Sequence, residues 1–182
     1  MTRTVGLIVI LGGTLLAEAA WTLRPPRPVP LAGPTIGEAL PNVGAISVEN
    51  GPPRGVQAGL IGDGRCGVVI VIDPTCSACR RMRREWPAAY RAWRDSVGGP
   101  VRLTWLSNGD SAETANFYRG FRLPGVTRAR YVFTSATAMS RLGVYLTPTT
   151  YLLDRDGRLR VGDIENFLPP ADSTRAVCGL GR

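Results

Sequence analysis

The sequence predicts an α/β fold in which a central mixed β-sheet is flanked by helices. Strand-like and helix-like segments alternate between residues 68 and 142, which is typical of strands joined by helical crossovers. A hairpin pattern at residues 149–164 and a last helix then close the chain. Crossovers give parallel neighbours and a hairpin gives antiparallel ones, so the sheet is expected to be mixed.

The strongest strand signal is the apolar segment at residues 68–72, Val-Val-Ile-Val-Ile. Because it is apolar at every position, it is expected in the centre of the sheet with both faces covered. Further strands are expected at residues 43–48, 56–61 (a weaker strand or a short helical turn), 101–106, 130–133, 149–154 and 159–164.

Four helices are expected, at residues 76–93, 112–121, 134–142 and 169–177. In the first, Met82, Trp86, Ala89 and Tyr90 recur at helical spacing and predict a buried stripe. Asp110 or Ser111 is expected to cap the second helix, and Gly143 to end the third.

The N-terminus predicts export. Arg3 precedes an apolar stretch at 5–17, which Glu18 interrupts and which then continues to Leu23. This pattern fits a secretory signal cleaved near Ala17-Glu18-Ala19, or an uncleaved membrane anchor, and we slightly favour the anchor. The expected organisation is therefore a signal anchor or signal peptide at 1–23, a proline-rich spacer at 24–35, and the folded domain at 36–182.

The chain of 182 residues is basic, with a formal net charge of +8, 22 basic residues and no histidine. It contains no lysine, so every basic residue is arginine. Six arginines crowd the first predicted helix, at 80, 81, 83, 84, 91 and 94. They indicate either a solvated helix face or a surface for an acidic partner or an anionic membrane. Nucleic acid is not an expected partner, because the chain is exported and carries no recognition motif.

Cys76 and Cys79 form a Cys-x-x-Cys motif directly after the central strand, where the first helix begins. The helix N-terminus favours a negative charge, so the Cys76 thiolate is expected to be stabilised, and nearby arginines to favour it further. Cys79 lies within reach of any mixed disulfide that Cys76 forms. A zinc site needs two more ligands, and without histidine or a second close cysteine pair we expect no metal and no cofactor.

With these motifs the chain resembles the thioredoxin-like redoxins, in particular the exported TlpA/ResA type of thiol–disulfide oxidoreductase. The resemblance covers residues 36–178. It rests on the strand–Cys76-x-x-Cys79–helix unit, on the segment 143–157 that leads through Thr147-Pro148 into a hairpin, and on an N-terminal β-hairpin before the central strand. It implies a thioredoxin-like sandwich.

The resemblance also implies roles for Thr147 and Pro148. Pro148 corresponds to the cis-proline that faces the dithiol, and the Thr147 backbone would pair with an extended substrate segment. An ordinary trans turn before a strand is the alternative for this proline.

Some positions depart from the family pattern and leave the redox potential open. Ser77-Ala78 replaces the common proline-containing pair, Thr75 stands where a tryptophan is common, and Met82 occupies the place of a glutamate that relays protons in relatives. The Asp73-Pro74-Thr75-Cys76 lead-in is more similar to the redoxin accessory proteins of methylamine dehydrogenase maturation.

In the topology that the resemblance implies, Cys66 and Cys178 both fall at the end of the sheet away from the dithiol. They are expected to form a structural disulfide, and two buried free thiols are the alternative.

Two functions follow from these observations. The first is an exported, membrane-tethered or periplasmic enzyme that exchanges disulfides with partner proteins and is re-reduced by a membrane electron donor. A reductive role, as in cytochrome c maturation, comes from the resemblance alone. The second is a binding or assembly module of a membrane complex, or an accessory protein of dehydrogenase maturation, without turnover and with a dithiol that is incidental or structural.

Overall fold

The computed structural model describes residues 33–47, 55–57, 64–119, 129–133, 137–162 and 167–181. The strands within this part are β1 (Gly44–Ser47), β2 (Gly55–Gln57), β3 (Gly67–Ile72), β4 (Arg102–Ser107), β5 (Ala129–Phe133), β6 (Thr149–Leu153) and β7 (Leu159–Val161). The helices are α1 (Ser77–Val97), α2 (Ser111–Tyr118), α3 (Ala138–Arg141) and α4 (Ala171–Cys178).

The strands form one mixed sheet of seven in the order β2-β1-β5-β4-β3-β6-β7. The central strands β3, β4 and β5 are parallel, as expected for strands joined by helical crossovers. The hairpin β1–β2 extends the sheet antiparallel to β5, and β6 and β7 extend the other side antiparallel to β3. The predicted α/β sandwich with a mixed sheet and an N-terminal hairpin is confirmed.

Both faces of β3 are covered, as its unbroken apolar sequence predicts, and all six of its residues are buried. Val68, Ile70 and Ile72 belong to one apolar cluster and Val69 and Val71 to another, because successive side chains of a strand point to opposite faces.

The cluster on the first face is built mainly from α1, α2 and α4. The buried stripe of α1 includes Cys79, Met82, Trp86 and Tyr90, which confirms the predicted periodicity except at Ala89, which is exposed. The Trp86 ring meets that of Trp105 on β4 edge-on, with 4.8 Å between centroids. The second of the two dithiol cysteines is therefore anchored in an aromatic core.

Helix boundaries differ from the sequence expectations where local hydrogen bonding decides them. Helix α1 continues to Val97, and Gly98 ends it with a positive φ of 68° and an N–H donated to the Arg94 carbonyl. Helix α2 begins after Asp110, whose carboxylate accepts from the Glu113 N–H while the Glu113 side chain accepts from the Asp110 N–H.

The expected signal or anchor at 1–23 and most of the spacer at 24–35 lie outside the described residues. In the part of the chain that the structure describes, no helix is both long enough and apolar enough to cross a membrane.

Candidate active site

A tight turn after β3 places Cys76 at the N-terminus of α1. The Asp73 carboxylate accepts hydrogen bonds from the Thr75 N–H at 2.8 Å and from the Thr75 hydroxyl at 2.6 Å. The Cys76 N–H donates to the Asp73 carbonyl at 3.1 Å, and the Cys76 carbonyl accepts the first helical bond from Arg80. Cys76 is thus the N-cap residue, with its sulfur beside the free N–H groups of the first turn.

The loop before β6 brings Thr147 and Pro148 to the same place. Thr149 pairs with Val71 in the antiparallel register, so Pro148 and Thr147 run alongside the end of β3 and the turn that follows it. The Thr147–Pro148 peptide bond is cis. The Cys76 thiol donates to the Thr147 carbonyl, with 3.3 Å between sulfur and oxygen.

The pKa of Cys76 is lowered from its ordinary value of 9.0. Partial burial opposes ionisation, but hydrogen bonds from the Thr147 side chain, from the backbone of Cys79 and Ala78, and from the Cys79 side chain outweigh it. These hydrogen bonds, rather than the arginines of α1, are the leading causes of the lowering. Cys76 is half-buried, so a partner's sulfur can approach it.

Cys79 has the opposite character. Its side chain is 0 % exposed, and burial raises its pKa from 9.0 to about 11. A hydrogen bond from the Asp73 backbone works against this effect without cancelling it. The two thiols of the motif therefore differ in ionisation, which is favoured at the half-buried Cys76 and opposed at the buried Cys79.

Asp73 shapes the turn that positions Cys76, and no role was expected for this residue from the sequence. Partial burial would raise its pKa, but hydrogen bonds from Thr75, Asn108 and the Cys76 backbone lower it overall. The Asn108 amide lies 3.5 Å from its second oxygen. The signal was present in the sequence, since an aspartate two residues before a threonine is a common side-chain-to-backbone turn.

A second feature that the sequence did not reveal is the exposure of apolar residues just before Thr147. Leu146 is 78 % exposed and Tyr145 is 64 % exposed. The Thr149 hydroxyl donates to the Leu146 carbonyl at 2.6 Å and fixes the backbone there. An apolar surface thus borders the dithiol on the side of the cis-proline.

Cys66 and Cys178 are joined by a disulfide, with 5.2 Å between their Cα atoms, and both are buried. Cys66 precedes β3 and Cys178 ends α4, so the bond ties these elements together at the opposite end of β3 from Cys76. Within the described residues, no group of three or more acidic, cysteine or histidine side chains is placed to hold a metal ion.

No family model and no curated protein matches the sequence. Solved structures do match this chain, and the fold that they share with it is thioredoxin-like. An uncharacterized thioredoxin-like protein from Porphyromonas gingivalis is 18% identical over 79% of this chain and 94% of its own, with a TM-score of 0.57.

Two further neighbours carry more specific names. The thioredoxin domain of a thiol-disulfide oxidoreductase from Bacteroides vulgatus is 13% identical over 78% of this chain and 94% of its own, with a TM-score of 0.56. A secreted Mycobacterium tuberculosis disulfide oxidoreductase, homologous to E. coli DsbE, is 14% identical over 76% and 96%, with a TM-score of 0.51. The chain therefore has the thioredoxin-like fold that the sequence predicted.

Proposed function

We propose that this protein is a thiol–disulfide oxidoreductase that exchanges disulfides with partner proteins through Cys76 and Cys79. The observation that carries the proposal is the contrast between the two sulfurs. One is half-buried with a lowered pKa, and the other is fully buried with a pKa of about 11. This contrast separates the attacking thiol from the resolving thiol.

The reaction begins with attack of the Cys76 thiolate on one sulfur of a client disulfide. A new bond forms between Cys76 and that sulfur, the client disulfide breaks, and the second client sulfur leaves as a thiolate. Formation of this mixed disulfide removes the negative charge of the Cys76 thiolate from the helix N-terminus.

In the resolution step Cys79 gives its proton to the client thiolate released in the first step and attacks the Cys76 sulfur. The Cys76–Cys79 disulfide forms, the client's remaining sulfur leaves as a thiolate, and two electrons have passed to the client. Because the high pKa of Cys79 keeps this thiol protonated, its attack on the mixed disulfide is slowed and premature release of the client is avoided. A membrane dithiol donor then reduces the pair again.

We assign Thr147 and Pro148 to client binding. The Thr147 carbonyl lies 3.3 Å from Cys76, so a client segment whose backbone pairs there would hold its disulfide against the attacking sulfur. Pro148 has no N–H, which leaves the surface facing the dithiol without a competing backbone donor.

We place this activity outside the cytoplasm, on a domain tethered to the membrane through residues 1–23 or released by cleavage there. The apolar composition of residues 5–23 and the second cysteine pair, Cys66 and Cys178, support this location. A reductive role toward exported cysteine pairs, such as those of c-type cytochromes during maturation, is supported by the resemblance to the TlpA/ResA type.

The test is insulin reduction with dithiothreitol as the electron source. We expect the full-length protein to accelerate the reaction, and Cys76→Ser to abolish the acceleration. Cys66 and Cys178 should remain paired in both proteins. A folded wild-type protein with no acceleration would contradict the proposal and favour the assembly module.

A further inference from the structure

Three arginines continue from Cys76 along one face of α1. Arg80, Arg83 and Arg84 stand four, seven and eight residues after Cys76, which are the spacings that share a helix face. Their side chains converge on a shared surface cavity of about 320 Å³. We call these three residues the arginine ridge.

The arginine ridge has no carboxylate partner among the described residues. The ion pairs in this part of the chain join Arg94 to Asp95, Arg160 to Asp154 and Arg175 to Asp172. Within the ridge, like charges at these spacings repel and weaken the helix slightly. Arg83 alone has a described contact, with its guanidinium 5.9 Å from the centroid of the Phe117 ring.

A cleft beside the ridge begins at the residue that precedes Cys76. It has a volume of about 220 Å³, with Pro74 and Thr75 at its end, Arg80 and Arg83 on one wall, and Glu113, Asn116 and Phe117 of α2 on the other. Glu113, the carboxylate in this lining, accepts from the Asp110 N–H in the α2 cap, and among the described residues neither Glu113 nor Asp73 forms an ion pair with the ridge. The cleft thus has two arginines against one carboxylate, which gives a net positive charge beside the reacting sulfur.

The dithiol does not account for this charge, since the lowered pKa of Cys76 comes chiefly from hydrogen bonds. A lipid surface does not account for it either. The ridge shares its helix face with Cys76, so a bilayer lying against the ridge would cover the sulfur that must meet a client.

We propose that the arginine ridge binds an acidic segment of the client next to the disulfide that Cys76 attacks. This inference rests on the proposed function and names the class of substrate. Guanidinium groups bind carboxylates with paired hydrogen bonds, and a surface of net positive charge raises the encounter rate of a negatively charged partner. The ridge selects clients with aspartate or glutamate beside the reacting cysteine over those with lysine or arginine there.

The experiment compares two synthetic peptides that contain the same intramolecular disulfide. One has three glutamates beside the first cysteine, and the other has three lysines. The reduced full-length protein is mixed with each peptide, quenched in acid and alkylated, and its oxidation is followed by mass. We expect the glutamate peptide to react at least about tenfold faster at low salt, and the preference to collapse in 1 M salt, where the screening length is about 3 Å.

Two charge reversals on α1 provide the matched comparison. Arg80→Glu alters the ridge, whereas Arg91→Glu makes the same change of charge on an exposed residue about 22 Å from Cys76 along the helix. We expect Arg80→Glu to lower the peptide preference by about fivefold or more, and Arg91→Glu to leave it within about twofold. Because the readout is a ratio, a change in Cys76 nucleophilicity cancels.

The outcomes separate the two proposals. If the wild type reacts with both peptides at equal rates, or if both reversals act equally, the ridge proposal is overturned and disulfide exchange stands. If neither peptide oxidises the protein while iodoacetamide still alkylates Cys76, the proposed function itself fails.

Discussion

The two sulfurs of one short motif acquire opposite ionisation properties because they are buried to different depths. Cys76 lies at the cap, where donors converge on it, and Cys79 lies under the helix against the aromatic core. The sequence predicted the cap position from the strand that precedes it. It did not predict the burial of Cys79, since Cys-x-x-Cys alone does not say which side of the helix faces the sheet.

This difference predicts the pH dependence of alkylation. Below its pKa, Cys76 becomes less reactive as the pH falls, because the thiolate is the nucleophile. We expect the iodoacetamide rate at Cys76 to show a midpoint below 9.0, and Cys79 to stay unmodified until the pH approaches about 11. Peptide mapping of the alkylated protein measures both. A Cys76 midpoint at or above 9.0 would contradict the assignment.

The turn at Asp73 gives a second prediction at this scale. Its lowered pKa means that the carboxylate stabilises the fold above the ordinary aspartate value of 3.8, and that this contribution is lost as the pH falls through the folded value. Asp73→Ala should cost about 1–2 kcal/mol at pH 7 and make the loss of stability in acid shallower, as measured by urea unfolding. Asp95→Asn, at an exposed carboxylate on α1, is the control and should change stability by less than about 0.5 kcal/mol.

Among the elements, the structure agrees best with the sequence where periodicity is strong. The apolar run in β3 and the buried stripe in α1 predicted the positions of both elements correctly. The ends of the helices, which capping hydrogen bonds determine, were less predictable. Helix α1 extends past its predicted end at 93, because the glycine with positive φ that ends it is Gly98. Pattern reasoning finds the interior of a helix, whereas its termini depend on a few hydrogen bonds.

The cap of α2 is open to direct measurement. Asp110→Ala removes the carboxylate that accepts from the Glu113 N–H at 2.7 Å, and should lower the free energy of unfolding by about 1 kcal/mol. Ser111→Ala, one residue further along, serves as the control with little expected change. If the two variants lost equal stability in urea, the capping box would not be the stabilising feature.

Across the whole molecule, the covalent link between Cys66 and Cys178 joins the start of the central strand to the end of the last helix. Predicting this pairing required the expected topology, because four cysteines alone allow three disulfide connectivities. The exposed Leu146 and the cleft beside the arginine ridge were beyond prediction from sequence, since both arise from packing between segments far apart in the chain.

Removing this disulfide should cost stability by an amount that grows with the logarithm of the length of the loop that it closes. For a sequence separation of 112 residues, the chain-entropy relation gives about 4–5 kcal/mol, so Cys66→Ala/Cys178→Ala should lower the urea midpoint strongly. Cys76→Ala leaves the Cys66–Cys178 disulfide intact and is the control. A double variant as stable as the control would show that the link is not a stabilising one.

The most direct test of the central claim is to locate the mixed disulfide. With Cys79 replaced by serine, a disulfide peptide should become trapped on Cys76, and mass mapping should find the adduct there. With Cys76 replaced instead, no adduct should accumulate on the buried Cys79. An adduct on Cys79, or none on Cys76 in a folded protein, would contradict the account.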